Sequence, residues 1–469
     1  VVTEPRRVAA RAAATRMAGL RGEAVGGIVG YRTRYDSRID PARTRVQVVT
    51  DGVLARRLQA EPALPGVAAV LLDEFHERSP GSDLALALCV HSREARHRAG
   101  LPPLRLAAMS ATLTPALVQR LAGILGGAAV VTSEGRAYHV EVRHAAAGRR
   151  LLRAAKGFEK RGVLEEAVAK AAREALGETE GDVLCFLPGE REIQRAAKAV
   201  KERLPSRRAE AEARVQAKRP FRGFGAAPKA RTAIGPVDVV SLHGSLDKEA
   251  QDLAVQPPPP GRRRVILATN IAEASITVAG VTAVVDGGLR KVSRFDRGSG
   301  FDSLELQPVS QASAEQRAGR AGRVRDGLCL RLWSPDEGLR PEDAPAIAQV
   351  DLTGMVLGLA ACGVPPAAVP AMPWLDAPPQ RSVKHATGVL QLLGALDEGG
   401  ALTAHGRALA RLPLHPRLAH MALRGAERPP APDGGCDVAE LCALLEGDRD
   451  VLRAEKGGAV AAGCADLRV

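Results

Sequence analysis

The sequence predicts an α/β protein built on parallel sheets, and three observations carry that expectation. Its candidate strands are short, continuously apolar runs, the pattern of strands buried on both faces. Helical stretches separate them, which is how parallel strands are connected. The alternation also runs twice along the 469 residues, with a break between the two passes.

In the first pass Val1-Val2-Thr3, Val46–Thr50, Val67–Leu72 and Leu104–Met109 read as strands, with helices over Ala9–Leu20 and Asp83–Arg98. The second pass reads as helix Val163–Leu176, strand Asp182–Leu187 and helix Glu190–Arg203. Strands Val237–Leu242, Arg264–Ala268 and Thr282–Val285 follow. Two successive α/β domains, divided near Thr132–Gly148, are the economical reading. Ser206–Pro236 breaks the pattern with eight basic and two acidic residues and Gly and Pro interruptions. It reads as a solvated insertion, with contact to nucleic acid as the alternative. Pro257–Gly261 reads as a loop. Arg290–Pro308 has strand-like flanks around Gly298-Ser299-Gly300, the pattern of a hairpin. Beyond Pro341 the chain turns helical, with helices over Leu352–Gly363 and Ser382–Leu396. Leu402–Leu412 reads as a small wing leading into a helix.

The length suggests about three or four domains. Hydrophobic residues make up 45% but aromatics only 3%, so the cores must rest on Leu, Val and Ala. The net charge of +13 and pI near 9.8 favour a polyanionic partner such as nucleic acid or an anionic membrane surface. Arg enrichment without any partner is the alternative. The seven cysteines include no C-x-x-C pair and are odd in number. That argues against a disulfide framework or a zinc site and for a reducing cytoplasm. No apolar run reaches membrane-spanning length and no signal-peptide pattern occurs. The chain opens on Val1 inside a strand pattern and ends at Val469 without a stop signal, so an internal stretch of a longer protein is expected.

Two constellations carry chemistry. In Leu71-Leu72-Asp73-Glu74-Phe75-His76-Glu77-Arg78, two carboxylates follow a buried run, at the strand end where α/β sheets place ligands. An Asp there can hold Mg²⁺ on a nucleotide, and the next Glu can orient and deprotonate a water. A chance acidic surface turn is the bland alternative. In Gln316-Arg317-Ala318-Gly319-Arg320-Ala321-Gly322-Arg323, the arginines recur every third residue and so share roughly one helical face. Three guanidinium groups there suit a phosphate chain, Gly319 and Gly322 permit close backbone approach, and a solvated basic face is the alternative.

On these residues the chain resembles the DEAH-box helicases of superfamily 2. The first constellation is similar to their Walker B element in an Asp-Glu-Phe-His form, and the second to their motif VI. Thr3-Glu4-Pro5-Arg6-Arg7-Val8-Ala9-Ala10 resembles motif Ia and Val49-Thr50-Asp51-Gly52 motif Ib. Ser110-Ala111-Thr112 resembles motif III, Phe186-Leu187-Pro188-Gly189 motif IV, and Ala268-Thr269-Asn270-Ile271-Ala272-Glu273-Ala274-Ser275 motif V. Phe75, Leu330-Arg331-Leu332-Trp333-Ser334 and Leu402-Thr403-Ala404-His405-Gly406-Arg407-Ala408-Leu409 point to the bacterial HrpB-type branch.

The resemblance implies two tandem RecA-like parallel-sheet domains, 1–134 and 135–338, the second carrying the basic insertion. A winged-helix-like domain, 339–412, and the start of a helical, ratchet-like domain, 413–469, follow. It implies ATP or another NTP with Mg²⁺ as cofactors and single-stranded nucleic acid, RNA rather than DNA, as partner. Asp73 and Glu74 would serve the Mg²⁺ and the water, and His76 would link the nucleotide site to the second domain. Gln316, Arg320 and Arg323 would reach the γ-phosphate, and Ser275 would help position the water. Arg6, Arg7, Thr50, Thr269 and Asn270 would hold the nucleic-acid backbone, which positions a strand without reading it. Ser110 and Thr112 would couple the two sites. The hairpin would separate strands, with a plain surface hairpin as the alternative.

The chain departs from the family in one major respect. No G-x-x-x-x-G-K-[ST] phosphate loop occurs in it. In the family this loop lies just upstream of motif Ia, so truncation before Val1 is the expected cause, and the chain as given is expected not to turn ATP over. Ala279 also stands where the family usually has an acidic residue. A non-catalytic nucleic-acid-binding protein that kept the fold is the competing reading, and a scaffold or partner-regulated ATPase a third.

Overall fold

A computed structural model describes residues 1–34, 36–133, 138–144, 162–204, 236–246, 248–273 and 278–427, with Val438, Leu441, Cys442 and Leu445 beyond. Its strands form two six-stranded sheets and one two-stranded ribbon.

The first sheet holds β1 (Val2–Glu4), β2 (Val29–Thr33), β3 (Asp36–Arg38), β4 (Val46–Thr50), β5 (Ala69–Leu72) and β6 (Arg105–Ala108). Their spatial order is β3-β2-β4-β1-β5-β6, and every pairing is parallel except β2 with β3. Helix Arg7–Leu20 lays Ala10, Ala14 and Ala18 on Val2, Val29 and Val48, and the small Ala face lets helix and sheet approach closely. Helix Pro80–Arg98 starts on a Ser79 cap that accepts from the Ser82 amide, with Pro80 in its first turn. Arg96, His97 and Arg98 end it, where cations suit the helix dipole.

The second sheet holds β7 (Val140–His144), β8 (Asp182–Phe186), β9 (Val237–Leu242), β10 (Arg263–Ala268), β11 (Val281–Asp286) and β14 (Gly327–Arg331), all parallel, in the order β7-β14-β11-β8-β10-β9. The central β8 and β11 are buried along their whole length, which explains why they read as unbroken apolar runs. One face packs on helices Val163–Glu178 and Glu190–Arg203 around Val183, Cys185 and Val285. The other packs around Leu184, Phe186, Ile266 and Val284. Between β11 and β14 the chain makes an antiparallel ribbon of β12 (Leu289–Asp296) and β13 (Phe301–Pro308). The hairpin expected over Arg290–Pro308 is therefore present.

Both sheets and the ribbon belong to one compact unit, Val1–Val350 with Pro373–Asp376. The second unit, Asp351–Met372 with Ala377 onward, is helical. Helices Thr353–Ala361, Gln380–Leu392, Ala404–Arg411 and Pro416–Ala426 make it up. Its small wing is a single antiparallel bridge between Leu396 and Leu402. The expected helix over Ser382–Leu396 stops at Leu392, because Gly394 takes a left-handed φ of 68° and turns the chain back. The Asp351 carboxylate bonds His415 Nε2 (2.7 Å) and the Thr353 amide (3.0 Å), which ties two helix starts together within this unit. Among the described residues no helix is long and apolar enough to cross a membrane. The expected insertion, apart from Pro236, and most of 413–469 lie outside the described residues.

Candidate functional site

Asp73 follows β5 directly and hangs from its neighbour strand, its amide donating to Thr3 O (3.2 Å). Its Oδ1 accepts from the Glu74 amide (2.8 Å). Glu74 sits at φ 49° and Arg78 at φ 49°, and between them Phe75–Glu77 makes a single 3₁₀ turn. Both are non-glycine residues in the left-handed region, at a cost of about 1–2 kcal/mol each. Three things hold the turn. The Phe75 ring is fully buried and its amide donates to Met109 O (3.0 Å). Arg78 donates to both oxygens of the buried Asp83 (3.2 and 3.3 Å). Strain of this kind persists only where packing over-determines it, and it gathers at working sites.

The turn presents a cluster of carboxylates. Burial pushes the Glu74 carboxyl above its ordinary range, with Asp73 and Glu77 adding to the effect while His76 and Arg320 oppose it. Glu4, at the end of β1, is pushed up to about 8 by burial and by Asp73, Glu74, Asp51 and Glu77. Asp51 is itself held by Ser79 (3.0 Å) and Ser82 (2.6 Å), which fixes helix Asp51–Ala60 to helix Pro80–Arg98.

His76 lies at the junction of the two sheets. Its Nδ1 accepts from the Ala111 amide (3.4 Å) and lies 3.4 Å from Glu74 Oε2. Its Nε2 meets the side-chain amide of Gln316, 240 residues further on, at 2.8 Å. Arg320 and Arg323 follow. Burial and mutual repulsion lower Arg320 to about 10, with Glu74, Glu273 and Glu77 opposing. Burial lowers Arg323 too, again opposed by Glu74. Glu74 thus sits within the field of both arginines, although they belong to the other sheet.

The second constellation differs from its expected geometry. Helix Gln311–Gly319 ends before Arg320, so the three arginines share no helical face. Arg317 is 1% exposed and turned inward. Its Nε donates to Glu273 (2.8 Å), its Nη1 to Asp286 (2.9 Å), and its guanidinium lies over the Phe186 ring at 4.8 Å. A triplet of arginines reads as one face only while the helix continues; here it stops, and buried carboxylates draw in the first. The glycines differ too. A Cβ on Gly322 would meet Tyr138 O at 2.6 Å, so this glycine lets the turn press on the chain entering β7, whereas nothing lies within 4 Å of one on Gly319.

On the far side of the His76–Gln316 contact lies a cleft of about 580 Å³. Arg6, Thr112, Asn270, Arg290 and Gln316 are among its walls. Arg6 spans it, donating to Glu77 (3.2 Å) and to Ile271 O (3.3 Å). Arg7 and Ser110 are exposed, and Thr50 and Thr269 are half-buried at the ends of β4 and β10. None of these four lines the cleft. Ser275 lies outside the described residues. Sequence reasoning assigned no role to Glu4, Arg78, Glu273 or Asp286. A carboxylate at the last position of a buried strand was the available signal for Glu4 and Asp286. Arg78 and Glu273 stood inside the quoted motifs.

A helicase conserved C-terminal domain matches residues 225–325, and the winged-helix part of the helicase-associated domain HA2 matches residues 386–414. The Escherichia coli K12 ATP-dependent RNA helicase HrpB is 40% identical over 449 residues, covering 95% of this chain and 49% of that protein. ATP-dependent RNA helicase HrpA of the same organism is 34% identical over 428 residues, covering 90% of this chain and 29% of that protein. The crystal structure of the E. coli DEAH/RHA helicase HrpB superposes with a TM-score of 0.77 at 38% identity, over 96% of this chain and 51% of that one. The chain thus spans about half the length of the HrpB relatives it matches.

Proposed function

We propose, on the premise that this chain belongs to the HrpB-type DEAH-box helicases, that the whole protein is an ATP-driven motor on single-stranded nucleic acid, RNA rather than DNA, in the cytoplasm. One observation carries the reading. Glu74, at the strand end of the first sheet, stands in the field of Arg320 and Arg323 from the second, with His76 and Gln316 in contact beside it at 2.8 Å. A protein that only binds nucleic acid has no need to bring two buried-side arginines to a water-activating carboxylate, which disfavours the non-catalytic alternative.

ATP would supply the energy-rich phosphoryl bond. Mg²⁺ in such sites is held by one or two carboxylates, water and the phosphates. Asp73, with one oxygen on the Glu74 amide, and Glu74 fit that donor set. Glu74 would orient a water and accept its proton; burial raises its carboxyl pKa, which makes it a stronger base than a free carboxylate. Arg320 and Arg323 would face the charge that develops in phosphoryl transfer, a contribution of about 10³–10⁵ in rate for such arginines. Ser275 would help place the water. Arg6, Arg7, Thr50, Thr269 and Asn270 would bind the nucleic-acid backbone, and Ser110 and Thr112 would link that grip to the Glu74 turn through His76.

The test is nucleic-acid-stimulated ATPase and unwinding by the full-length protein on matched RNA and DNA duplexes. Stimulated turnover with unwinding of the RNA duplex is expected. Nucleic-acid binding without any turnover would select the non-catalytic reading, and faster unwinding of the DNA duplex would reverse the substrate preference.

A further inference from the structure

Besides the His76–Gln316 contact, the turn that carries Glu74 and His76 has a charged anchor from far along the chain. Besides Asp83, Arg78 donates from Nη2 to Asp376 Oδ2 at 2.8 Å. The other oxygen of Asp376 accepts from Arg120 at 2.9 Å, and Arg120 also donates to the Leu375 carbonyl. Arg120 lies on helix Pro115–Ile124, which begins just after Ser110-Ala111-Thr112. One carboxylate therefore bridges the end of the strained turn and the helix behind the Ser-Ala-Thr segment. Arg78 and Arg120 hold the Asp376 carboxyl below its ordinary range against the opposing effect of burial, so it is ionised at working pH.

The bridging segment is distinctive in the chain. Pro373–Asp376 groups with the first unit, while the residues before it and after it make up the second. Trp374 and Leu375 are buried, so the segment is fixed rather than draped. With Arg78 satisfied on both sides, the turn has a left-handed residue at each end and a charged clamp at its far one.

We infer that Asp376, with Arg120, is a positioning residue for hydrolysis: it holds Arg78, and through the turn it holds Glu74 and His76 where the chemistry needs them. The inference rests on the proposed hydrolytic role of Glu74. Loss of the clamp loosens the turn that carries Glu74 and His76, while Arg78 keeps its bonds to Asp83, so the main effect is expected on kcat.

The experiment compares Asp376→Ala, Asp376→Glu and Arg120→Gln in the full-length protein, using RNA-stimulated ATP hydrolysis, ATP KM, RNA affinity and thermal melting. Asp376→Ala is expected to lower kcat about tenfold, less than the roughly 10²-fold that a misplacement of about 1 Å can cost, because Arg78 keeps Asp83. ATP KM and RNA affinity should stay within about twofold, the mark of a group that acts on turnover alone. Asp376→Glu should recover part of the lost kcat. A kcat within about twofold of the parent, or a change confined to KM, overturns the inference. If Asp376→Ala does not fold, Arg120→Gln decides. Its side chain is half exposed, so a reduced kcat with unchanged melting supports the clamp, and an unchanged kcat refutes it. An active parent with an indifferent Asp376→Ala removes this inference alone; a parent without hydrolysis removes the proposed function and this inference with it.

Discussion

Arg317→Met is the substitution with the most clearly defined stability cost. Arg317 is almost wholly buried, and its guanidinium neutralises two carboxylates, Glu273 at 2.8 Å and Asp286 at 2.9 Å. Burial alone would lower its pKa, but Asp286 and Glu273 outweigh that and raise it. Asp286 is fully buried, and its Oδ2 already has no hydrogen-bond partner among the described residues. Removing the cation leaves that carboxylate uncompensated, and breaking a buried pair in this way costs about 3–5 kcal/mol. Loss of the contact over Phe186 adds about 1 kcal/mol, while the Met side chain keeps most of the packing. A loss of about 5 kcal/mol is expected, or roughly 2.5 M in urea midpoint for a slope of about 2 kcal/mol/M. The assay follows Trp333, buried in the second sheet's core, in a Trp374→Phe background so that only this sheet is read. Arg317→Met combined with Asp286→Asn should recover part of the loss, because the stranded charge is gone. A loss under about 1 kcal/mol would place Arg317 among weak surface pairs and refute the buried-network argument.

Three further outcomes are expected. Glu4→Gln should leave stability unchanged near pH 4.5 and raise it near pH 8.5. The Glu4 carboxyl moves from 4.5 to about 8 on folding, so the stability it permits is complete below pH 4.5 and lost as pH rises through 8. The full shift corresponds to about 5 kcal/mol, and partial solvent screening reduces this to roughly half; urea midpoints at the two pH values measure it, and equal midpoint changes would contradict it. In the full-length protein, His76→Ala and Gln316→Ala should each lower stimulated turnover, and the double variant should be less than the product by a coupling of about 0.5–3 kcal/mol; additive effects would mean the 2.8 Å contact carries no coupling. The 469-residue chain by itself, which contains no Gly-Lys-[Ser/Thr] loop, should release no phosphate from ATP in the presence of RNA; steady release would show that the carboxylates and arginines suffice.

Much of the architecture was legible because the physics behind it is local. Val46–Thr50, Asp182–Phe186 and Val237–Leu242 carry apolar residues on both faces, and that reads directly as strand. The ribbon was legible from Gly298-Ser299-Gly300 between β-like flanks. Four strands were not. In β2, Gly30 interrupts the run because a Cβ there would meet Arg38 O at 2.4 Å, and β3 is three polar residues on an edge. β7 alternates Val with charged residues at a sheet edge, and only Leu330 and Arg331 of β14 fall in the stretch Leu330–Ser334 that points to the family. The site followed the same rule. Asp73 and Glu74 were placed by the strand before them. The inward turn of Arg317 depends on Glu273 and Asp286, 44 and 31 residues away. The clamp on Arg78 depends on Asp376, 298 residues away. Contacts of that range leave no periodicity to read.

The central claim is that Glu74 activates water under the influence of Arg320 and Arg323. Single-turnover hydrolysis by full-length Glu74→Gln tests it most directly. The account predicts retained ATP binding with phosphate release reduced by about 10²-fold or more; turnover equal to the parent would contradict it.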